Sequence, residues 1–294
     1  LKIVDFLNAR ARENQWGFVD FNRPMVAINQ WEQAADSMYT LCGKDRIHPS
    51  TDGHLVMAYL FLKAQGLAGK PVADIRIDGA GKKVTRSDNC RVSDLSISSD
   101  NLTFTYEAKS LPYPIDTSYY DNEKHTQADA LSVIPFMDEM NYEGLSVSGL
   151  SDGYYGLTIG GEFIGRFTAR ELERGINMAL LQNTPQYKQA MKIRQMNEER
   201  WLKERKMREF YWVEYNLMRK TGMLWACNEA AVDTLRKYRP HDIFLQWNGA
   251  LWLQYMHKGI REDCVNEQQD LVNQIYEQNK PIPLRIEIKK FTDL

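Results

Sequence analysis

The spacing of apolar residues changes along the chain, and the first stretch has the pattern of alternating helix and strand. Apolar residues recur at helical spacing from residue 3, and a short apolar run, WGFVDF, occupies residues 16–21. A strongly apolar segment at residues 54–66 ends on Gly66 and is predicted to be a helix. We interpret residues 16–21 as a buried strand, so that helix, strand, loop and helix form a fragment of α/β architecture.

The second stretch alternates with a period of two, which is typical of strands. Leu102, Phe104 and Tyr106 alternate with polar residues, and the preceding Ser-Ser-Asp-Asn predicts the turn of a β-hairpin. The Gly160–Gly161 pair lies between two apolar runs and predicts a two-residue hairpin turn. Residues 128–141 are rich in alanine, methionine and acids, and we predict a connecting helix there.

The third stretch returns to helical spacing. Thr184 and Pro185 predict a helix start, and the helix that follows is expected to reach about residue 220. A further helix is predicted for residues 262–279 and a closing strand for residues 283–291. The periodicity therefore predicts three parts: residues 1–67, a β-rich module with a connecting helix over 68–183, and a helical extension with a closing strand over 184–294.

Composition and charge exclude several classes of function. The chain has 294 residues, 43% of them hydrophobic, and a formal net charge of −2. No apolar run has the length of a membrane span, so no membrane span is predicted. The charge gives no basic field for nucleic acid, and in the aromatic and basic segment 200–215 the acids are interleaved with the bases. We interpret that segment as a packed helix with a solvated charged face.

The cysteines and histidines give little evidence for a metal or cofactor. Cys42, Cys90, Cys227 and Cys264 are far apart and form no CxxC pair. Their even number permits disulfides in an oxidising compartment, and free thiols are an equal alternative. His125, His241 and His257 are scattered, and no carboxylate cluster has metal-ligand spacing. We predict no metal and no cofactor.

The segment DRIHPSTDGH, residues 45–54, carries the most specific chemistry in the chain. Asp45 precedes His48 by three residues, which allows its carboxylate to reach the imidazole Nδ1 within one turn. Such a carboxylate holds the tautomer of a histidine that accepts the proton of a serine nucleophile. Pro49 disfavours helix at His48, and Ser50 or Thr51 can cap the helix that follows.

These ten residues resemble the last conserved block of the SGNH (GDSL-type) hydrolases, whose D-x-x-H-P motif is matched by Asp45 and His48. The resemblance implies that residues 1–67 are the C-terminal part of a flavodoxin-like three-layer α/β/α domain. It assigns Asp45 and His48 as the catalytic acid–base pair and His54 a structural role. Residues 147–190 resemble an extension that follows this domain in some bacterial members. The family also implies small acyl esters, such as acetylated carbohydrate, as substrates and a secreted or periplasmic location.

The nucleophile of this family lies in a Gly-Asp-Ser block, and no Gly-Asp-Ser occurs in the chain. We therefore expect the serine and the oxyanion hole to come from an upstream part of the same polypeptide. The segment GLSDG, residues 149–153, matches the G-x-S-x-G of α/β-hydrolases, but a strand-to-helix turn is needed there. Alternating strands flank Ser151, so we interpret it as a hairpin-turn residue.

The sequence thus favours a serine ester hydrolase, and one alternative stays open. A non-catalytic carbohydrate-binding or structural module that retains a hydrolase remnant would have the same Asp45–His48 pattern. Trp247, Trp252 and Tyr255 could line a sugar-binding surface in such a module, although a place in the core is the default expectation for clustered aromatic residues.

Overall fold

The computed structural model describes residues 2–118 and 125–291, which form a mixed α/β protein with two sheets. The chain divides into two compact units: residues 1–188 with 281–294, and residues 189–280. The first unit spans both residues 1–67 and the segment 68–183 that was expected to be a separate module. The division of the chain into three parts stays a prediction.

The first unit begins with three helices: α1 (Lys2–Asn14), α2 (Asn22–Glu32) and α3 (Thr51–Ala64). The strand predicted at residues 16–21 is wrong for this structure, because these residues have no regular structure and Trp16 is 66% exposed. A strand needs backbone partners, and the first strand among the described residues begins only at residue 73. The three-layer arrangement expected for residues 1–67 is therefore not present within the described residues.

Two sheets form the centre of the first unit. The first sheet contains β1 (Ala73–Asp78), β2 (Lys83–Asp88), β5 (Glu143–Ser148) and β8 (Ile176–Asn177) in the order β2-β1-β5-β8, and β1 and β5 are parallel. The second sheet is antiparallel and contains β3 (Cys90–Ile97), β4 (Asn101–Ala108), β6 (Tyr154–Ile159), β7 (Glu162–Thr168) and β9 (Leu284–Lys290). Its strand order is β3-β4-β9-β6-β7.

The two sheets share one apolar core. Alternate residues of β4 are buried, as the two-residue period predicts, and they lie in one cluster with Ile75 and Leu145 of the first sheet and Ile286 of the last strand. Both predicted hairpins are confirmed: β3 and β4 pair around residues 98–100, and β6 and β7 pair around Gly160–Gly161. Gly160 and Gly161 have φ values of 59° and 86°, which a side chain would disfavour.

The predicted connecting helix at residues 128–141 is only partly present. A 3₁₀ turn covers Gln127–Ser132 and one helical turn, α4, covers Phe136–Glu139, with Pro135 between them. Helix α3 packs against this segment in a second apolar core that includes Leu41, Val56, Tyr59 and Ile134. The unit also contains α5 (Ala169–Arg174) and a 3₁₀ turn at Met178–Leu180.

The second unit is helical. It contains most of α6 (Pro185–Val213), which is followed by a π-helical segment (Glu214–Met218), and then α7 (Glu229–Tyr238), a 3₁₀ turn (Arg239–His241), α8 (Ile243–Tyr255) and α9 (Lys258–Gln278). Its apolar core includes Phe210, Leu235 and Trp252. Trp252 and Tyr255 are buried, as expected for core residues, whereas Trp247 is 65% exposed. No described helix has both the length and the apolar character that a membrane crossing requires.

Candidate functional site

Asp45 and His48 lie in a loop that is closed by backbone hydrogen bonds. The amide of Gly43 donates to the carbonyl oxygen of His48 at 2.8 Å, and the amide of Ser50 donates to that of Leu41 at 3.0 Å. Leu41 is fully buried, which anchors one end of the loop in the apolar core around helix α3. The backbone that carries Asp45 and His48 is therefore held in place at the start of the loop.

The predicted hydrogen bond between Asp45 and His48 is present. Asp45 Oδ2 lies 2.5 Å from His48 Nδ1. Asp45 Oδ1 accepts hydrogen bonds from the amides of Ile47, at 2.9 Å, and His48, at 3.1 Å. Because two amides hold one carboxylate oxygen, the other oxygen is directed at the imidazole, and among the described residues no distant residue bonds to it.

The same contacts keep the carboxylate ionised. The hydrogen bond with His48, followed by those from the Ile47 and His48 amides, lowers the pKa of Asp45 to about 2. The His48 side chain is 83% exposed, and its Nε2 makes no hydrogen bond with any described residue. The arrangement can take a proton at Nε2 while the carboxylate stabilises the resulting imidazolium.

The helix that follows the loop begins on a buried polar cluster that the sequence did not predict. Ser50 occupies the N-cap position of α3, but its hydroxyl donates to Asp52 and makes no capping bond. Asp52 is 1% exposed, and its Oδ1 also accepts from the amide of Gly53 at 2.8 Å. His125 Nδ1 lies 4.0 Å from Asp52 Oδ2. The sequence feature that could have indicated this cluster is the Asp52-Gly53 pair in the first turn of an apolar helix.

Gly53 is required where α3 passes Leu41. A Cβ added to Gly53 would lie 2.0 Å from the Leu41 carbonyl oxygen, which is itself bonded to the Ser50 amide. We expect Gly53→Ala to lower the free energy of unfolding by about 1–3 kcal/mol, because backbone must move to admit the methyl group. Urea denaturation would measure this loss. Gly17→Ala, whose Cβ would have no neighbour within 4 Å, is the control, and equal stability of the two variants would contradict the prediction.

His54, for which we predicted only a structural role, is exposed on α3 at the edge of an apolar groove. The groove has a volume of about 580 Å³, and its other residues include Leu62, Leu111, Phe136 and Met140. His48 and Asp45 are not among the residues that line this groove. The structural role of His54 stays a prediction.

Ser151 lies between two strands, as expected, but the prediction of a hairpin turn is wrong. Strand β5, before it, belongs to the first sheet, and β6, after it, belongs to the second, so the segment connects two sheets. Lys290 Nζ donates to Ser151 Oγ at 2.8 Å, and the Tyr155 hydroxyl donates to the Ser151 carbonyl oxygen at 2.9 Å. The first bond ties the connection to the last strand, β9, and the second ties it to β6.

We expect Ser151→Ala to leave ester hydrolysis unchanged within twofold, because no helix follows Ser151 and no histidine contacts it among the described residues. Rates of p-nitrophenyl acetate hydrolysis by the complete polypeptide and its variant would test this. A large loss in Ser151→Ala, with an unchanged circular dichroism spectrum, would identify Ser151 as the nucleophile.

The described residues contain no group of three or more potential metal ligands. All four cysteines are free thiols, and Cys90 and Cys264 are buried, so the disulfide alternative has no support in this structure. The polar features of the first unit that bear on acid–base chemistry at this loop are the Asp45–His48 pair and the buried Ser50–Asp52 cluster at the start of α3.

A mixed α/β protein with an exposed Asp–His pair belongs to no single enzyme class by fold alone. Residues 191–280, which nearly coincide with the second unit, match the family described as diltiazem deacetylase C-terminal helical domain. The chain is also similar to the solved structure of a gut microbial diltiazem-metabolizing enzyme, with 41% identity and a TM-score of 0.91 over 99% of this chain. The chain spans 66% of that protein's length. A search of curated proteins found no match.

Proposed function

We propose that this chain supplies the acid–base pair of a serine ester hydrolase of SGNH type. The observation that carries the proposal is the 2.5 Å contact between Asp45 Oδ2 and His48 Nδ1, with the opposite edge of the imidazole open to solvent. The similarity to a diltiazem-metabolizing enzyme, and to a domain named for a deacetylase, supports hydrolysis of an ester over other reactions.

In this mechanism the serine hydroxyl attacks the ester carbonyl while His48 Nε2 removes its proton. His48 then donates the proton to the departing alcohol, and a water molecule, deprotonated in the same way, releases the acid from the acyl-enzyme. Asp45 holds the ring with Nε2 outward and stabilises its charged form. General acid–base catalysis of this kind is worth about 10²–10⁴-fold in rate.

The serine in this proposal comes from an upstream part of the same polypeptide. The N-terminal segment exposes an unusual number of large apolar side chains, which supports a contact with further protein. Ile3 is 75% exposed, Phe6 60%, Trp31 79% and Ile47 74%. Ile47 is adjacent to His48, so a partner that covers it would also approach the imidazole. The flavodoxin-like α/β/α layering belongs to the same proposal, with the upstream part supplying the strands.

The substrates in this proposal are small acyl esters, with acetyl groups on carbohydrate as the first class to test. The name of the matched domain family, which is that of a deacetylase, supports an acetyl group, and the sugar rests on the SGNH resemblance alone. A secreted or periplasmic location is proposed on the same resemblance.

Release of acetate tests the proposal directly. The complete polypeptide would be incubated with acetylated xylan, acetylated pectin and diltiazem, and acetate would be quantified with and without prior treatment with a fluorophosphonate. We expect acetate from at least one substrate and its loss after treatment, because fluorophosphonates modify activated serines. Absence of acetate from all three, with a folded protein, would favour the non-catalytic module.

A further inference from the structure

The second unit carries an aromatic strip on its surface, formed by Trp201, Trp212, Phe244 and Trp247. The ring centroids of Trp212 and Phe244 are 5.2 Å apart, and those of Phe244 and Trp247 are 5.4 Å apart. Trp201, Phe244 and Trp247 are 47%, 48% and 65% exposed. Three large rings from helices α6 and α8 are therefore open to solvent, although Trp252 of the same helix α8 is completely buried.

A cavity of about 340 Å³ opens beside the strip. Two of the strip's tryptophans line it together with charged and polar side chains: Trp201, Arg205, Arg208, Glu209, Trp212 and Asn248. Its size lies at the lower end of the range for small-molecule sites. Two arginines and one glutamate give the lining one excess positive charge.

Several polar side chains that line this cavity have N–H groups without a hydrogen-bond partner among the described residues. Arg205 Nε donates to Glu209 Oε1 at 2.8 Å, but its two terminal nitrogens have no partner among the described residues. The Arg208 guanidinium lies over the Trp201 ring, 5.5 Å from its centroid, and 3.7 Å from Glu204 without a hydrogen bond. The Asn248 amide also has no partner within the described part of the chain.

We propose that this cavity and the aromatic strip bind an acidic oligosaccharide. The C–H faces of a sugar ring carry partial positive charge and pack against the negative face of an aromatic ring. Hydroxyl groups at the ring edge would meet Asn248, and a uronate carboxylate would accept charge-assisted hydrogen bonds from the free N–H groups of Arg205 and Arg208. A row of rings beside a cavity with charged donors suits a chain of sugar units.

The charge of the lining favours an anionic sugar chain as the occupant. A uronate carboxylate would accept hydrogen bonds from the N–H groups of Arg205 and Arg208 that line the cavity, whereas a neutral or apolar partner would leave them without an acceptor. The site shares no residue with the Asp45–His48 pair, so the proposal of sugar binding does not depend on the proposed ester hydrolysis. Its role would be to hold a polymeric substrate or surface.

Calorimetric titration of the 294-residue chain with tetragalacturonate tests the site. We expect saturable binding that is about tenfold weaker in Trp247→Ala, because loss of one stacked ring removes close to 1.4 kcal/mol. Trp31→Ala, which removes an exposed tryptophan from the first unit, is the matched control and should bind as the wild type does. No binding by the wild type at millimolar ligand, or equal binding by both variants, would overturn the proposal.

A second pair of measurements tests the acidic character of the ligand. Arg205→Gln should reduce the preference for tetragalacturonate over the neutral cellotetraose, and added salt should do the same in the wild type. Equal affinity of the wild type for the two oligosaccharides would overturn the assignment of the arginines. Sedimentation equilibrium should show the same mass for the wild type and Trp247→Ala. A wild-type dimer that becomes a monomer in the variant would show that a second copy covers the strip.

Discussion

Replacement of His48 with alanine should lower kcat for ester hydrolysis by the complete polypeptide about 10²–10⁴-fold. The loss is expected because no other imidazole contacts Asp45 among the described residues, so the serine proton would have no acceptor. KM and thermal stability should change little, since the His48 side chain is 83% exposed. Steady-state kinetics with p-nitrophenyl acetate and a thermal melt would measure both.

Two further variants separate catalysis from structure. Asp45→Asn should also lower kcat, because an amide cannot stabilise the imidazolium and leaves the ring tautomer unset. His241→Ala removes an exposed histidine from the second unit and should be fully active. Full activity of His48→Ala would remove the acid–base pair from the mechanism, whatever the outcome for the other two variants.

The parts of the fold that depend on neighbours in sequence could be predicted from sequence. The β6–β7 hairpin follows from two adjacent glycines with positive φ, and β4 follows from alternate apolar residues. Helices α6 and α9 follow from their starts and spacing. Asp45 and His48 could be placed together because they are only three positions apart, and the two amides that fix the carboxylate lie in the same turn.

The parts that depend on distant partners could not be predicted. Residues 16–21 have the composition of a buried strand, yet no described strand pairs with them. The parallel pairing of β1 with β5 joins segments about seventy residues apart, and no local pattern encodes it. The burial of Asp52 has no local pattern either, because one of its neighbours, His125, is distant in sequence.

Glu143 is a buried acid that the sequence also did not single out. It lies at the start of β5 with no exposed surface, where its Oε1 accepts hydrogen bonds from the Tyr106 hydroxyl at 2.8 Å and from Gln186 Nε2 at 3.2 Å. Its Oε2 is buried and has no hydrogen-bond partner among the described residues. Burial raises the pKa of Glu143 from 4.5 to about 7, although both hydrogen bonds act in the opposite direction.

This shift makes the stability of the first unit depend on pH. Glu143 is protonated more readily in the folded than in the unfolded protein. Its contribution to the free energy of unfolding is therefore complete below pH 4.5 and is lost as the pH rises through about 7. The loss corresponds to roughly 3 kcal/mol. Glu143→Gln, which stays neutral, should therefore gain stability relative to the wild type by about this amount between pH 4.5 and pH 8.

Hydrogen exchange at pH 5 and pH 8, corrected for the intrinsic rate, would locate the effect. The amides of strand β5 in the wild type should lose protection at pH 8 relative to the Gln variant, whereas those of helix α8 in the second unit should respond equally in both proteins. Glu173→Gln, at an exposed position in the first unit, should behave as the wild type does. If the stability difference between Glu143→Gln and the wild type were constant from pH 4.5 to pH 8, Glu143 would not change its protonation in this range. Its free oxygen would then have to be stabilised as a carboxylate by a group such as a bound water.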